Sequence, residues 1–412
     1  SQKELDAWVH LHEEASKRDH RKIGKELGLL MFHEWSPGSP FLLPKGTVIY
    51  NELQKFVREE YQKRGYQEVV TPQLFNKALW EESGHWSHYK ENMFVMKVDD
   101  EEFSLKPMNC PSHCLMFRES SHSYRELPLR IADFCMLHRN ELRGVLGGLM
   151  RVRKFSQDDA HIFCTMEQIQ SEIHALLEFI KYVYTDIFKM TFTAKLSTKP
   201  EKALGSAETW QKAEASLAAA LDASKMKYTI NAGDGAFYGP KIDFDVKDSL
   251  GRTWQCATVQ LDFNLPERFK LEYSDADNSL KRPVMIHRAV LGSLERFLGV
   301  LIEHYAGKFP VWLSPIQARV LPISDKSAKY GEHVLKELHS YGIRVELDSS
   351  AETLNKKIRD AQLAQIPYIL VIGEKEQEKK TLAVRTIDGK NHEHTVESFI
   401  KHILEEIKQR KS

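Results

Sequence analysis

Long hydrophobic runs, a net charge and a cysteine framework are all missing from this sequence. No stretch of the chain approaches the roughly 18 consecutive apolar residues that a membrane-spanning helix needs, so no membrane span is predicted. Lys plus Arg and Asp plus Glu both number 58, so any surface for a polyanion must be a local patch. The 5 cysteines are too few and too scattered for a disulfide framework, which favours a reducing compartment with buried or metal-bound thiols.

The N-terminal segment has no features of a targeting sequence. It reads SQKELDAWVHLHEEASKRDHRK, and charges of both signs exclude a secretory signal peptide. Its acidic residues also argue against a transit peptide. We therefore expect a cytoplasmic protein, with the mitochondrial matrix as the alternative.

The chain is too long for one hydrophobic core, so two or three domains are expected. Before Pro315, short β-rich runs alternate with loops, and helices are predicted over 47–64, 166–187 and 200–224, with another long helix beginning near His287. This predicts an α+β fold with an antiparallel sheet and inserted helices. After Pro315, strands and helices alternate regularly, which predicts a mostly parallel sheet. The predicted divisions are a helical linker over 1–30, a first domain over 31–311 and a second domain over 312–412.

The most informative stretch is FCMLHRNELRGVLGGLMRVRKFSQDDAHIF, residues 134–163. It is typical of a β-hairpin, with one strand around LHRNE, a glycine-rich loop and a returning strand from Met150. In a strand, residues two apart share a face. Gln157, Asp159 and His161 therefore share one face, and an amide, a carboxylate and an imidazole in a row have little reason to be core. We interpret them as a strip that binds substrate.

Taken singly, such residues have ordinary explanations. An Arg–Glu pair on a strand is more often a surface ion pair worth about 0–1 kcal/mol, and a strand histidine is usually a satisfied core or surface group. The joint pattern R-x-E, a loop, then R-x-x-x-F-x-x-x-D changes this interpretation, because it resembles motif 2 of the class II aminoacyl-tRNA synthetases. The matching residues are Arg139, Glu141, Arg151, Phe155 and Asp159.

Two further motifs of that class are found in order. GYQEVVTP, which ends in Pro72, resembles motif 1, the dimer-interface element, and implies a homodimer formed through the catalytic domain. HRAVLGSLERFLGVL resembles motif 3, a strand–helix unit in which Arg296 is at the position that binds the γ-phosphate. The resemblance implies a class II synthetase catalytic core, an antiparallel sheet with helices, followed by a C-terminal α/β anticodon-binding domain.

The resemblance also implies how ATP is bound. Arg139 is expected to hold the α-phosphate and the amino-acid carboxylate by bidentate contacts. Phe155 is expected to stack on adenine and Glu141 to accept from its amino group. Arg139 and Arg296, with Mg²⁺ carried by ATP, are the expected catalytic groups that stabilise charge during in-line attack on the α-phosphate. The expected ATP-binding residues are Arg139, Glu141, Arg151, Val152, Phe155, Gln255, Thr258, Ser293 and Arg296.

A set of metal ligands separates the threonyl family from the other class II families. That family binds one zinc ion per subunit through a Cys and two His, and Cys110, His161 and His287 occupy the matching positions. Three protein ligands with an open position are typical of a catalytic zinc site. Cys114 and Cys164 lie close to these ligands in sequence, but we interpret both as buried thiols because isolated Cys–His sets are usually accidental.

Zinc provides a selectivity that an apolar pocket cannot. Threonine and valine have nearly the same shape, and an apolar pocket separates them by no more than about 10²-fold. By resemblance, zinc takes the threonine amino and hydroxyl groups, Asp159 accepts the hydroxyl proton, and Gln157 and Arg139 hold the carboxylate. The expected threonine-binding residues are Met108, Arg139, Gln157, Asp159, Tyr238, Lys241 and Gln260.

Serine is harder to reject than valine. It keeps the hydroxyl and lacks only one methyl group, worth roughly 1–3 kcal/mol. The threonyl family usually adds an N-terminal editing domain for this purpose, and the sequence shown starts just before the catalytic core. We therefore expect this chain to lack that domain and to form seryl-tRNA(Thr) at a measurable rate.

The C-terminal part resembles the anticodon-binding domain shared by the threonyl, prolyl, histidyl and glycyl enzymes. Its recognisable core is LNKKIRDAQLAQIPYILVIGEKE followed by LAVRT. Arg359, Glu376 and Arg385 are at expected anticodon-contact positions, although a solvated charge explains each of them equally well. The implied function is a class II threonine–tRNA ligase, with ATP, L-threonine and tRNA(Thr) as substrates.

Three alternatives were weighed against this hypothesis. A prolyl or histidyl synthetase shares the class and the C-terminal domain, but a substrate-binding zinc set is not expected there. An inactive paralogue that binds RNA would have lost motif arginines or zinc ligands, and none is lost. A zinc hydrolase built on the same three ligands would leave the ATP motifs unexplained and lacks a general base at the usual spacing.

Overall fold

The computed structural model describes residues 2–411. Its helices are α1 (Gln2–Lys17), α2 (His20–Glu26), α3 (Pro44–Lys63), α4 (Lys77–Ser83), α5 (His85–His88), α6 (Cys110–Arg118), α7 (Ile169–Lys181), α8 (Ala207–Ala223), α9 (Asn264–Arg268), α10 (Leu294–Tyr305), α11 (Asp325–Ser340), α12 (Leu354–Leu363), α13 (Glu374–Lys379) and α14 (Val396–Gln409). Within residues 2–411, none of these helices combines the length and the apolar character that a membrane span requires.

The strands are short and spread over the whole chain. They are β1 (Leu30–Met31), β2 (Phe41–Leu42), β3 (Gln67–Val69), β4 (Leu74–Asn76), β5 (Val95–Val98), β6 (Glu101–Leu105), β7 (Leu129–Asp133), β8 (Met136–His138), β9 (Lys154–Ser156), β10 (Asp159–Cys164), β11 (Thr191–Ser197), β12 (Tyr228–Asn231), β13 (Lys241–Lys247), β14 (Thr253–Asp262), β15 (Tyr273–Ser274), β16 (Leu280–Lys281), β17 (Val284–Ala289), β18 (Ala318–Pro322), β19 (Val345–Leu347), β20 (Tyr368–Ile372), β21 (Thr381–Thr386) and β22 (Asn391–Thr395).

An eight-stranded sheet forms the centre of one compact unit, Phe32–Pro40 with Gln54–Val300. The strand order is β12-β11-β13-β14-β17-β10-β7-β3. The six inner strands pair antiparallel, while the edge strands β12 and β3 pair parallel with their neighbours. On β13, Ile242 and Phe244 are fully buried and alternate with Lys241 and Asp243, which point to the opposite face. The predicted antiparallel core with helices is therefore confirmed.

The other compact unit comprises Ser1–Met31, Phe41–Leu53 and Leu301–Ser412, and it contains a five-stranded sheet in the order β19-β18-β20-β21-β22. One face packs Val320 and Leu370 against α11 and α14, and the other packs Ile369 against α12. This confirms the α/β domain. The expectation of a mostly parallel sheet is wrong for β21 and β22, which pair antiparallel because only four residues connect them.

The two compact units divide the chain differently from the predicted domains. The N-terminal helices and the segment 301–311 group with the C-terminal sheet, although 301–311 was expected in the first domain. Polar contacts within this unit give the physical reason. His20 Nδ1 lies 2.6 Å from Glu303 Oε1, and Arg344 Nη1 donates to Glu52 Oε1 at 2.7 Å.

Two local predictions are corrected by the structure. His287 lies in β17 rather than at the start of a helix, and α10 begins only at Leu294. Gly292 interrupts the helical pattern, because its φ of 76° suits a tight turn and a Cβ there would lie 2.5 Å from the Cys256 carbonyl oxygen. Arg139 and Glu141, expected in a strand, follow the three-residue strand β8 as a loop.

Gly46 offers a test of the packing around α3. A Cβ at this position would lie 2.0 Å from the carbonyl oxygen of Leu29 in the same compact unit. Gly46→Ala should therefore destabilise this unit by about 1–3 kcal/mol, as overpacking does, and lower its midpoint of thermal unfolding. Gly147→Ala is the control, since a Cβ there meets nothing within 4 Å. Equal midpoints for the two variants would contradict the packing described.

Candidate active site

The register of the eight-stranded sheet gathers polar side chains on one of its faces. His161 of β10 is the cross-strand partner of His287 of β17, and His287 is the partner of Gln260 of β14. In the neighbouring row, Thr258 of β14 faces Asp243 of β13. Directly opposed residues have Cβ atoms about 4.5–5.5 Å apart. Distant parts of the sequence are thereby brought into contact range by backbone pairing alone.

Two adjoining cavities open on this face. The first, of about 350 Å³, is lined by every residue predicted to bind ATP. The second, of about 340 Å³, is lined by every residue predicted to bind threonine and by the three predicted metal ligands. We call them the nucleotide chamber and the metal chamber. The side chains common to both are Arg139, Gln157, Lys241, Thr258 and Gln260.

Cys110, His161 and His287 converge in the metal chamber. All three are buried, and their ligand atoms lie within 4.8 Å of one another. His161 Nε2 is 3.1 Å from His287 Nδ1. A sulfur and two imidazole nitrogens at this spacing form a donor set that suits zinc.

Buried partners behind the two histidines determine which nitrogen faces the cavity. Asp262 Oδ2 lies 2.9 Å from His287 Nε2, so the proton of His287 belongs on Nε2. His161 Nδ1 lies 2.7 Å from His113 Nδ1, and the other nitrogen of His113 points to Asp133 at 3.8 Å. The lone pair of His287 Nδ1 therefore faces His161 Nε2. A cation between the two rings would take this lone pair and that of His161 Nε2, with buried partners behind both histidines of the kind that metal-binding histidines have.

The protonation of His161 and Cys110 is consistent with a cation bound at this position. Burial, with His287 as the next cause, holds the pKa of His161 well below its usual value, so the imidazole is neutral. Burial also raises the pKa of the Cys110 thiol well above its usual range. Cys110 is the first residue of α6, where the helix dipole favours a thiolate. A cation would offset the desolvation that otherwise keeps this sulfur protonated.

Polar groups beside the ligand set are held in fixed positions. The carboxylate of Asp159 accepts from Asn109 Nδ2 at 3.0 Å and has an oxygen 3.9 Å from His161 Nε2. Tyr238 stacks on the His287 ring at 4.7 Å between centroids and donates its hydroxyl to Gln260 Oε1 at 2.6 Å. The chamber thus presents a carboxylate, an amide and a ligand set to a small polar molecule.

The nucleotide chamber contains the motif arginines. The Arg139 guanidinium lies 5.1 Å from the centroid of the Phe155 ring, and its Nε donates to the Pro107 carbonyl at 3.3 Å. Arg296 donates from Nε to the Met150 carbonyl at 2.8 Å and from Nη1 to the Gln255 carbonyl at 3.1 Å. These backbone acceptors fix both cations in the cavity wall, a preorganised arrangement for phosphate charge.

The loop after β8 contributes an ion pair. Arg151 Nη2 lies 2.8 Å from Glu141 Oε2, and Arg153 Nε donates to the Glu141 carbonyl at 3.0 Å. Arg151 is half exposed, so the pair itself contributes little stability. Both side chains are therefore available to exchange this contact for one to a ligand.

Asp158 connects two segments beside the nucleotide chamber: the link between β9 and β10, and the turn that precedes α10. Its fully buried carboxylate accepts from the backbone N–H groups of Val290, Leu291 and Gly292 at 2.8–3.0 Å. Burial raises the pKa of Asp158 to about 7, against the opposing effects of Arg288 and these three N–H groups. The turn that precedes Arg296 is anchored in this way to the strand that follows Phe155.

Sequence reasoning missed several side chains of this site. Asp262 and His113 support the ligand histidines, and Asp243 is in the nucleotide chamber. His85 Nε2 lies 3.2 Å from Met108 Sδ and 4.0 Å from Cys110 Sγ. For Asp262 and Asp243 a usable signal existed, since each is a carboxylate at the period-two positions of a strand that already contained predicted site residues.

The predicted anticodon residues lie in the other compact unit. Arg385 of β21 pairs with Ile369, which packs against α12, so Arg385 is on the sheet face covered by the helix that contains Arg359. Arg385 Nε is buried and has no hydrogen-bond partner among the described residues. Glu376 differs, because its carboxylate accepts from the Gly373 N–H at 2.8 Å and caps α13.

Comparison with known proteins agrees with this geometry. Residues 94–305 match the tRNA synthetase class II core domain (G, H, P, S and T), and residues 317–409 match an anticodon binding domain. The chain is 53% identical to a threonine–tRNA ligase of Desulfatibacillum aliphaticivorans over 99% of its length, and 55% identical to the cytoplasmic threonine–tRNA ligase of Caenorhabditis elegans over 94%. It spans 64% and 54% of the lengths of these two relatives.

A solved structure is similar over nearly the whole chain. The RNA binding domain of threonyl-tRNA synthetase from Cryptosporidium parvum Iowa II superposes with a TM-score of 0.92 at 49% identity, covering 94% of this chain and 98% of that one. Identity at this level over nearly the whole of both chains indicates shared ancestry as well as a shared fold. The chain belongs to the class II aminoacyl-tRNA synthetases and, within them, to the threonyl-tRNA synthetase family.

Proposed function

We propose that this chain activates L-threonine with ATP to threonyl-adenylate and transfers the threonyl group to tRNA(Thr). The observation that carries the proposal is the connection of two chambers through a shared wall. The metal chamber contains Cys110, His161 and His287, and the nucleotide chamber contains Arg296. Arg139 lines both chambers and can contact a carboxylate and a phosphate at once.

The metal chamber selects the amino acid in this proposal. Cys110, His161 and His287 would hold a zinc ion, which would supply Lewis-acid coordination for the amino and hydroxyl groups of threonine. In this proposal Asp159 accepts the hydroxyl proton and Gln157 donates to the carboxylate of the substrate, and both side chains line the metal chamber. Valine leaves these buried polar groups unpaired, which is why the site rejects it.

The nucleotide chamber supplies charge and orientation. ATP enters with Mg²⁺, Phe155 stacks on adenine, and Glu141 leaves Arg151 to accept from the adenine amino group. Arg139 and Arg296 then balance the charge on the α- and γ-phosphates while the threonine carboxylate attacks the α-phosphate in line. No protein nucleophile takes part, so catalysis rests on positioning and electrostatics.

Three observations support the other parts of the proposal, which are the homodimer, the binding of the tRNA anticodon and the cytoplasmic location. Strand β3 is at the edge of the eight-stranded sheet and is followed by Val70, which is 86% exposed, so the proposed homodimer contact can form at this edge. Arg359 is exposed on α12 and Arg385 lies on the sheet face that α12 covers, and we assign both to contacts with the tRNA anticodon. Cytoplasmic location is proposed because relatives from Caenorhabditis elegans and Rattus norvegicus are named as cytoplasmic.

The first test is ATP–pyrophosphate exchange that depends on threonine. We expect exchange with threonine, loss of exchange after zinc is removed with a chelator, and recovery when zinc is restored. Valine should support exchange with a kcat/KM lower by about 10³-fold or more, because it cannot use the polar groups of the metal chamber. Exchange with valine close to that with threonine, or indifference to chelation, would overturn the proposal.

The second test concerns the support behind His287. Asp262→Asn should lower the affinity for zinc by about 10–100-fold, because the amide no longer fixes the proton on His287 Nε2. Zinc affinity is measured by competition with a chromophoric chelator, independently of enzyme activity. Asp222→Asn is the control, since this carboxylate is exposed at the end of α8. Unchanged zinc affinity in Asp262→Asn would refute the assigned tautomer.

The third test separates tRNA binding from amino-acid activation. Arg359→Gln and Arg385→Gln should each lower kcat/KM for tRNA(Thr) by about 10-fold, since a phosphate or base contact is worth about 1–3 kcal/mol. Threonine-dependent ATP–pyrophosphate exchange should not change. Lys336→Gln on α11 is the control, because α11 packs on the opposite face of the same sheet. A loss of pyrophosphate exchange in either arginine variant would contradict a role in tRNA binding.

A further inference from the structure

Asp243 is a buried carboxylate in the wall of the nucleotide chamber, and it has no part in the reaction proposed above. The residue is 2% exposed. Its Oδ1 accepts from Gln255 Nε2 at 2.6 Å and from Thr258 Oγ1 at 3.4 Å. Its Oδ2 accepts from Ser197 Oγ at 2.7 Å and lies 2.8 Å from Lys241 Nζ. One carboxylate therefore contacts side chains from three strands.

A negative charge at this position is costly for a site that receives a triphosphate. Like charges repel strongly where water is excluded, and a buried carboxylate is tolerated only when its oxygens are fully hydrogen-bonded. The four partners of Asp243 meet that requirement and leave neither oxygen free for a ligand. Asp243 therefore acts on the site through the positions of these four side chains.

Two of those partners line the nucleotide chamber, and one of the two also lines the metal chamber. Lys241, which lines both chambers, is held between Asp243 and Asp234, whose carboxylate lies 3.3 Å from Lys241 Nζ. Gln255 directs its amide N–H to Asp243, which leaves its side-chain oxygen as an acceptor, while its backbone carbonyl receives Arg296 Nη1. Lysine and glutamine side chains are rotamer-rich, so they lose much of their freedom through these contacts.

We propose that Asp243 is a positioning residue, which fixes Lys241 where the nucleotide chamber meets the metal chamber and Gln255 in the wall of the nucleotide chamber, so that both substrates bind in a productive arrangement. This inference rests on the proposed activation reaction. It places the function of Asp243 in the geometry of its neighbours and not in a contact with substrate.

Asp245 provides a matched control on the same strand and the same face. It lies two residues further along β13, is also buried, and forms an ion pair with Lys195 at 2.5 Å. Neither Asp245 nor Lys195 lines either chamber. Asp245 is the cross-strand partner of Gln255, so Asp245→Asn removes a carboxylate from the same face and from the same neighbourhood but from outside both chambers.

The test is the affinity for ATP–Mg²⁺, measured by calorimetry in the full chain loaded with zinc. Removing a negative charge beside a triphosphate would, by electrostatics alone, tighten ATP binding. The positioning proposal predicts the opposite sign, with Asp243→Asn raising the Kd for ATP and the KM for threonine by about 10-fold or more. Asp245→Asn should stay within about 2-fold of the wild type. Tighter or unchanged ATP binding in Asp243→Asn would overturn the proposal.

A second measurement separates positioning from general damage to the fold. In a Lys241→Met, Gln255→Ala background, adding Asp243→Asn should change the Kd for ATP by less than about 2-fold, because a residue that acts through its partners has no effect once they are gone. A full additional loss in that background would show that Asp243 acts in another way, and would overturn the proposal.

Failure of the proposed function has a different signature. A wild-type chain that binds ATP but shows no threonine-dependent pyrophosphate exchange would refute the activation reaction. The effect of Asp243→Asn on the Kd for ATP would still decide whether the residue positions the nucleotide chamber.

Discussion

The antiparallel register across β10, β17, β14 and β13 is the constraint on which the whole site depends. It places His161 opposite His287, His287 opposite Gln260 and Gln260 opposite Lys241, so that one row of side chains crosses four strands. A slip of one residue on any strand would turn its members of this row to the other face of the sheet. The relative positions of the site side chains are therefore fixed by the backbone hydrogen bonds that pair these four strands.

Buried carboxylates then hold the site at fixed distances. Asp262 orients His287, Asp158 anchors the turn before Arg296, and Asp243 holds two side chains of the chamber wall. Each of these carboxyl groups has its oxygens engaged by N–H, O–H or ammonium groups, which is the condition for burying so polar a group in the interior. The acidic residues of the site act mainly on other protein groups. The groups proposed to contact a ligand are arginines, amides, imidazoles and a thiol, together with the carboxylates of Asp159 and Glu141.

The motif pattern and strand parity together predicted most of the residues that line the two chambers. Gln157, Asp159 and His161 line the metal chamber together, as period-two spacing required. The residues that hydrogen-bond to the metal ligands could not be predicted in the same way. The contact between Asp262 and His287, for example, forms only after β14 and β17 pair. Local periodicity also failed where tertiary contacts decide the outcome, as in the short hairpin of β21 and β22.

Charged side chains are distributed unevenly along the two chambers, and this distribution orients a zwitterionic substrate. Asp159 lines the metal chamber and Asp262 contacts His287 behind it, whereas Arg151 and Arg296 line only the nucleotide chamber and Arg139 lines both. An amino acid that bridges the chambers is a zwitterion, so its ammonium end is drawn to the acidic side and its carboxylate to Arg139. The ion pair of Lys241 with Asp243 lies where these two fields meet and adds no net charge to either side. On the proposed reaction, this polarity directs the carboxylate of threonine towards the α-phosphate before any bond is made.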